Sequence, residues 1–210
     1  ILAANDHLAA ENARLFAERG VVVINLMGAP GAGKTALLEQ TARRLGDAVR
    51  WAVVEGDVQG SLDADRLERL GVPVVQINTG GACHLDANMV REALDHVELD
   101  GLDLLVVENV GNLVCPAEFD IGARHKVMVL STAEGADKPA KYPLMFHESE
   151  LLLLNKVDLL PHLDFDEQAF VEGLRGVSPD IRVERISCRT GEGVDGWVRW
   201  LEECLGPQKS

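Results

Sequence analysis

The chain has 210 residues, 47% of them hydrophobic, and a formal net charge of −14. Its length suits one α/β domain with a substantial core, and its charge argues against a nucleic-acid or anionic-membrane surface. No apolar run approaches the ~18 residues of a membrane span, and four scattered cysteines (Cys83, Cys115, Cys188, Cys204) form no disulfide framework, which points to a reducing cytoplasm.

Residues 3–19, with Leu8, Leu15 and Phe16 among Ala, Glu and Arg, predict a helix that Gly20 can stop. The β-branched run at 21–26 predicts a strand. It leads into Gly28-Ala29-Pro30-Gly31-Ala32-Gly33-Lys34-Thr35, which fits the phosphate-binding pattern G-x-x-x-x-G-K-[ST]. Helical spacing follows over 35–45. Strand, glycine loop and helix is the context that this motif requires, and a chance match in a chain this long is roughly a one-in-a-hundred event. Gly28, Gly31, Ala32, Gly33 and Ala36 would line the cradle, with backbone N–H groups and the helix N-terminus facing a polyphosphate. Lys34 would reach the β- and γ-phosphates, and the Thr35 hydroxyl would ligate Mg²⁺.

A strand at 51–54 runs into Glu55-Gly56-Asp57-Val58-Gln59, where Asp57 can contact Mg²⁺ or orient the attacking water. Asp63 and Asp65, on a predicted helix at 62–70, are rivals for that role, with a solvated helix face as the alternative. After a strand at 74–77 comes Thr79-Gly80-Gly81-Ala82-Cys83-His84, then a helix at 86–97. The apolar strand 104–107 ends in Glu108-Asn109-Val110-Gly111. An acid there is the Walker B arrangement: Glu108 would hold Mg²⁺ directly or through water, and Gly111 can approach the γ-phosphate. Cys115 lies four residues on. Thiolate and imidazole together suit Zn²⁺ or Ni²⁺, but adjacent Cys83 and His84 do not have zinc-finger spacing, and spacing alone favours three unrelated loop residues. If they are a site, two or three ligands leave the shell open, and a two-fold mate could close it. Cys188 and Cys204 read as packing residues, and His7, His96, His125, His147 and His162 form no cluster.

Strands at 127–130 and 151–154 follow, and the second runs into Asn155-Lys156-Val157-Asp158, the guanine-reading N-K-x-D. A carboxylate at Asp158 accepts from guanine N1–H and its exocyclic amine, a donor pair that adenine lacks. Asn155 would brace the loop and the Lys156 stem would lie over the ring. A helix at 166–174, a strand at 183–186 and a helix at 194–205 complete the pattern. Ser187-Cys188-Arg189, after that last strand, resembles the S-A-K loop of GTPases, placing a backbone N–H at Cys188 against guanine O6. GTP is therefore expected over ATP.

The alternation predicts an α/β P-loop fold: a mostly parallel sheet of about seven strands with helices on both faces, in a single domain spanning 1–210, residues 1–19 being an N-terminal helix. Each motif falls just after a strand, where ligands of such folds gather. No arginine finger is identifiable, so GTP hydrolysis, with Lys34, Asp57 and Glu108 as the catalytic groups, is expected to be slow. The other readings are a metal-binding or partner-docking module whose nucleotide only sets oligomeric state, and a P-loop kinase or ATPase, which Asn155–Asp158 argues against.

Taken in order, the P-loop with Asn25-Leu26-Met27 before it, Glu55-Gly56-Asp57, Thr79 to Asp86, Glu108 to Pro116, Asp137-Lys138-Pro139-Ala140-Lys141-Tyr142-Pro143 and Asn155 to Leu159 resemble the hydrogenase nickel-incorporation GTPases of the HypB family, in the SIMIBI class. The related urease GTPase UreG places a proline between Cys and His; here Cys83 and His84 touch. The resemblance implies a cytoplasmic GTPase that dimerises with GTP bound. It implies Ni²⁺ or Zn²⁺ binding at the dimer interface through Cys83, His84 and Cys115, and so reverses the preference for unrelated loop residues. It further implies a HypA-type nickel metallochaperone and the [NiFe] hydrogenase large subunit as partners. Asp57 and Asp63 would belong to the first switch and Glu108 to the second, with γ-phosphate contacts reshaping the metal loops. Some family members carry a Cys-rich or His-rich N-terminal tract; residues 1–20 hold neither.

Overall fold

The computed structural model describes residues 2–57 and 62–206; the side chains of Asp57, Leu62 and Asp63 lie outside the described residues. Seven strands form one sheet: β1 (Val22–Met27), β2 (Trp51–Asp57), β3 (Val74–Asn78), β4 (Leu104–Glu108), β5 (His125–Ser131), β6 (Leu151–Asn155) and β7 (Arg182–Arg185). Every pairing is parallel, in the order β3-β2-β4-β1-β5-β6-β7. The helices are α1 (Leu2–Arg19), α2 (Lys34–Leu45), α3 (Leu62–Glu68), α4 (Ala87–Ala93), α5 (Cys115–Glu118), α6 (Lys138–Lys141), α7 (Pro143–Glu148), α8 (Glu167–Val177) and α9 (Val194–Leu205).

The sheet explains the apolar runs. Side chains alternate across a strand, so Val22, Ile24 and Leu26 pack with Leu37 and Leu38 of α2 and Trp197 and Leu201 of α9 on one face. On the other, Val21 and Val23 meet Phe16 of α1 and Val90 of α4, while Met128 and Leu130 meet Phe146 of α7 and Phe170 of α8. The interior strands β1, β4 and β6 are buried at every position, as strands covered on both faces are. The edge strands β3 and β7 alternate in exposure instead. No helix among the described residues is long and apolar enough to cross a membrane.

All seven expected strands are present. The helical pattern at 86–97 divides into α4 and a 3-10 turn, Leu94–His96. The short helices α5, α6 and α7, each with a proline in its first turn, have no counterpart in the sequence reading. In α1 the buried face is Asn5, Ala9, Asn12 and Phe16, whereas Leu8 and Leu15 are only half-buried.

Candidate functional site

The loops after β1, β4 and β6 meet, beside the end of β2, around a cleft of about 660 Å³, whose lining includes Gly31, Gly33, Thr35, Glu108, Gly111 and Lys156. Gly28 to Gly33 turn back on themselves with Gly28, Gly31 and Gly33 at positive φ, a backbone that L side chains rarely adopt. Gly33 (φ 103) is fixed twice over, because a Cβ there would stand 2.3 Å from the Asn155 amide nitrogen. That amide donates to Ala32 O at 2.9 Å and ties the loop after β6 to the phosphate loop. Lys34 is buried and folds back, donating to Gly28 O at 3.2 Å and Ala29 O at 3.3 Å.

Thr35 Oγ1 donates to Glu108 Oε1 at 3.1 Å. Two oxygens in adjacent positions of an octahedral Mg²⁺ shell stand about 2.9 Å apart for ligand distances of about 2.0–2.1 Å. The pair consists of hard donors at the right separation, so these residues fit that ion. Glu55 is buried beside them, in register with Glu108 across the β2–β4 pairing, and lines the cleft with Arg66. The sequence reading passed over both, choosing Asp57 and Asp63, whose side chains lie outside the described residues. The available signal for Glu55 was its place as the acid that ends an apolar strand, the same place Glu108 holds on β4.

Next to Lys156 at the cleft, the predicted base-reading residues other than Arg189 brace one another. Asp158 Oδ1 accepts from Ser187 Oγ at 2.6 Å. Asn155 Oδ1 accepts from Cys188 N–H at 3.1 Å and from Lys156 N–H at 2.8 Å. The Cys188 amide, expected to face guanine O6, is thus engaged with Asn155 in this structure. Lys156 has φ 64 and donates from Nζ to Gly31 O at 2.8 Å, so its stem crosses the phosphate loop. Arg189 is exposed beside them.

Cys83 and His84 follow β3, and Cys115 opens α5 after β4, so β2 separates their parent strands. Gly56 lets the first loop cross over β2: a Cβ there would stand 2.7 Å from Leu85 Cγ. The result is a compact donor set. Cys83 Sγ lies 3.0 Å from Cys115 Sγ and 3.7 Å from His84 Nδ1, and all three ligand atoms fall within 4.8 Å of one another. A tetrahedral metal with Zn–S bonds near 2.3 Å separates its sulfurs by about 3.8 Å, so small adjustments accommodate an ion. His84 stacks on Phe119, centroids 3.9 Å apart. The hydrogen-bonded Cys83 thiol and partial burial hold the Cys115 thiol above its ordinary range. Burial pushes Cys188 and Cys204 up to about 11, which keeps them as thiols and suits packing. Among the described residues no other group of three such side chains is this close.

One buried side chain joins the two regions. Asn109, immediately after Glu108, accepts from Leu85 N–H and from its own neighbour Val110 N–H, each at 3.0 Å, and donates to Asn25 Oδ1 at 3.0 Å. Leu85 directly follows His84.

A family model described as the CobW/HypB/UreG nucleotide-binding domain matches residues 22–183. The hydrogenase maturation factor HypB of Azotobacter chroococcum mcd 1 is 54% identical over 98% of this chain and 68% of its own length. The protein of that name from Escherichia coli K12 is 52% identical over 96% of this chain and 70% of its own. The chain belongs to the CobW/HypB/UreG family. Within that family it stands with HypB: a crystal structure of HypB from Helicobacter pylori in complex with nickel superimposes with a TM-score of 0.91, at 35% identity, over 99% of both chains. HypB from Archaeoglobus fulgidus gives 0.91 at 36% identity, over 98% of this chain and all of that one. A LAO/AO transport system kinase, 20% identical with a TM-score of 0.59, shares the fold alone.

Proposed function

We propose that the chain is a slow GTPase that carries Ni²⁺, or Zn²⁺, at Cys83, His84 and Cys115, and assists nickel insertion into [NiFe] hydrogenase according to the nucleotide bound. The observation that carries this reading is the pairing, at one end of the sheet, of a phosphate loop with a soft donor set whose three ligand atoms lie within 4.8 Å of one another. The relatives' name, hydrogenase maturation factor, supplies the client, and the nickel in the Helicobacter pylori complex supports the cargo.

The residues divide the work. Lys34 exchanges Gly28 O and Ala29 O for β- and γ-phosphate oxygens, and the N–H groups of Gly31 to Ala36 face the same phosphates. Thr35 and Glu108 would hold Mg²⁺, which neutralises phosphate charge. Asp158, oriented by Ser187, accepts from guanine N1–H and the exocyclic amine, while Asn155 fixes the base loop to the phosphate loop. Cys188 N–H and Arg189 border the base. Asp57 and Asp63 supply the first switch, one of them orienting water. Gly111 fits against the γ-phosphate only as glycine, since a Cβ there would meet Pro30 of the phosphate loop at 2.9 Å. A pull on Gly111 passes through Asn109 to Leu85 and the Cys83–His84 loop.

Three protein ligands leave a coordination position open, which suits transfer rather than storage. The same reading has the chain acting as one cytoplasmic domain, dimeric with GTP, receiving or passing the ion with a HypA-type metallochaperone and delivering to the hydrogenase large subunit. The test is twofold. GTP turnover must exceed that of Lys34→Ala, and Ni²⁺ affinity must differ between the GDP form and the form with a non-hydrolysable GTP analogue. Phosphate release no faster than in Lys34→Ala would leave instead a docking module whose nucleotide only sets oligomeric state.

A further inference from the structure

The buried face of α1 is built on two asparagines, an expensive choice in a helix whose sequence offers leucines nearby. Asn5 and Asn12 are 7% and 0% exposed. A buried amide is retained only where its hydrogen bonds are met, and these are met by two particular segments. Asn5 accepts from Ala87 N–H at 2.9 Å and donates to Asp120 O at 2.8 Å. Asn12 donates to Ala87 O at 2.9 Å and Ile121 O at 3.3 Å, and accepts from Arg91 at 3.0 Å. Each asparagine therefore bridges the start of α4 to the turn after α5.

Those are the segments that carry the soft donors. Ala87 lies three residues beyond His84, and Asp120 lies five beyond Cys115 and next to Phe119, on which His84 stacks. The fit to the turn is close: a Cβ on Gly122 would stand 2.4 Å from Ala9 O and 2.8 Å from Asn12 Cβ. Phe16 pins the other end of α1 into the same core as Leu85 and Ile121. The helix also lies wholly outside the family-matched nucleotide-binding span, residues 22–183. It contributes no residue to the lining of the nucleotide cleft.

We propose that α1 is a splint for the metal site: Asn5 and Asn12 are positioning residues that set the distance between the Cys83–His84 loop and Cys115. Ligands held in place before binding lose less conformational freedom when they close on an ion; groups bonded directly to ligands are typically worth roughly 10- to 100-fold in metal affinity, and a splint one step further out acts below that. The inference rests on reading Cys83, His84 and Cys115 as a metal site, so the test must separate the two.

The experiment titrates Zn²⁺, and separately Ni²⁺, against a chromophoric chelator in the full chain, for wild type, Cys83→Ser, Asn5→Ala and Asn12→Ala. Affinity for a fluorescent GDP and the melting temperature are recorded on the same samples. Expected is a loss of about threefold to 10-fold in metal affinity in each asparagine variant, with GDP affinity within about twofold of wild type. A helix that served only general stability would lower the melting temperature and leave the metal affinity of the folded protein unchanged; that result overturns the splint. If Asn12→Ala does not fold, Asn5→Ala, at the rim of the helix, carries the same test. Equal metal affinity in wild type and Cys83→Ser sinks the metal-site reading itself, whatever the asparagine variants do.

Discussion

Replacing Asp158 by alanine probes the base assignment directly. The carboxylate is half-buried and already oriented, with Oδ1 2.6 Å from Ser187 Oγ, on a loop that Asn155 fixes to Ala32 O at 2.9 Å. Little is spent in ordering it when the base arrives, so the two hydrogen bonds to guanine register almost in full. Each bond to a charged group contributes about 1.5–3 kcal/mol, giving about 3–6 kcal/mol for the pair. Asp158 is partly exposed to water, so the lower half of that range applies. At 1.4 kcal/mol per factor of ten, GDP affinity in Asp158→Ala falls by about 10²-fold or more. ADP has no donor pair to lose, so its weak binding stays put and the GDP-to-ADP ratio collapses. Calorimetric titration of both nucleotides into wild type and Asp158→Ala measures this. A proportional loss for GDP and ADP would show that Asp158 only shapes the loop, and an unchanged GDP affinity would refute its contact with the base.

Three further outcomes follow from the contacts. Gly33→Ala places a methyl 2.3 Å from the Asn155 amide at a φ of 103, so it should detach Asn155 from Ala32 and abolish detectable GDP binding while the chain still folds; retained binding in an equilibrium assay would contradict the packing argument. Asn109→Leu orphans Leu85 N–H, Val110 N–H and Asn25 Oδ1, at about 1–3 kcal/mol each, so urea unfolding should show a loss of at least about 3 kcal/mol. The same variant should bring Ni²⁺ affinity in the GDP and GTP-analogue forms to parity, and a retained nucleotide dependence would place the coupling elsewhere. Finally, burial holds the Glu134 carboxyl above the ordinary carboxylate range while its Oε1 accepts from Ser131 N–H at 2.8 Å. A raised folded pKa favours the folded state while the group is protonated, and this contribution is lost as pH rises through that pKa. Glu134→Gln, which keeps the acceptor, should therefore gain stability relative to wild type as pH rises above the ordinary carboxylate range. A stability difference that stays flat as pH is raised through and above that range, measured by denaturant melts, would exclude it.

The sequence by itself determined the elements whose chemistry is local. The interior strands were legible as apolar runs because burial on both faces leaves no other composition for the inside of a parallel sheet, while the edge strands β3 and β7 keep one face toward water. The phosphate loop was legible because its backbone needs glycine at fixed offsets, three of which stand at positive φ. Three things were beyond it. Helices of four to six residues such as α5, α6 and α7 span less than two turns and show no periodicity. Asn5 and Asn12 resemble a solvated stripe until the carbonyls of Ala87 and Ile121, 75 and 109 residues away, are seen to accept from Asn12. The gathering of Cys83, His84 and Cys115 depends on the order β3-β2-β4 and on Gly56 letting one loop cross the strand between. Local propensity acts over a few residues, whereas that gathering is a property of how three strands stack, and only the tertiary structure decides it.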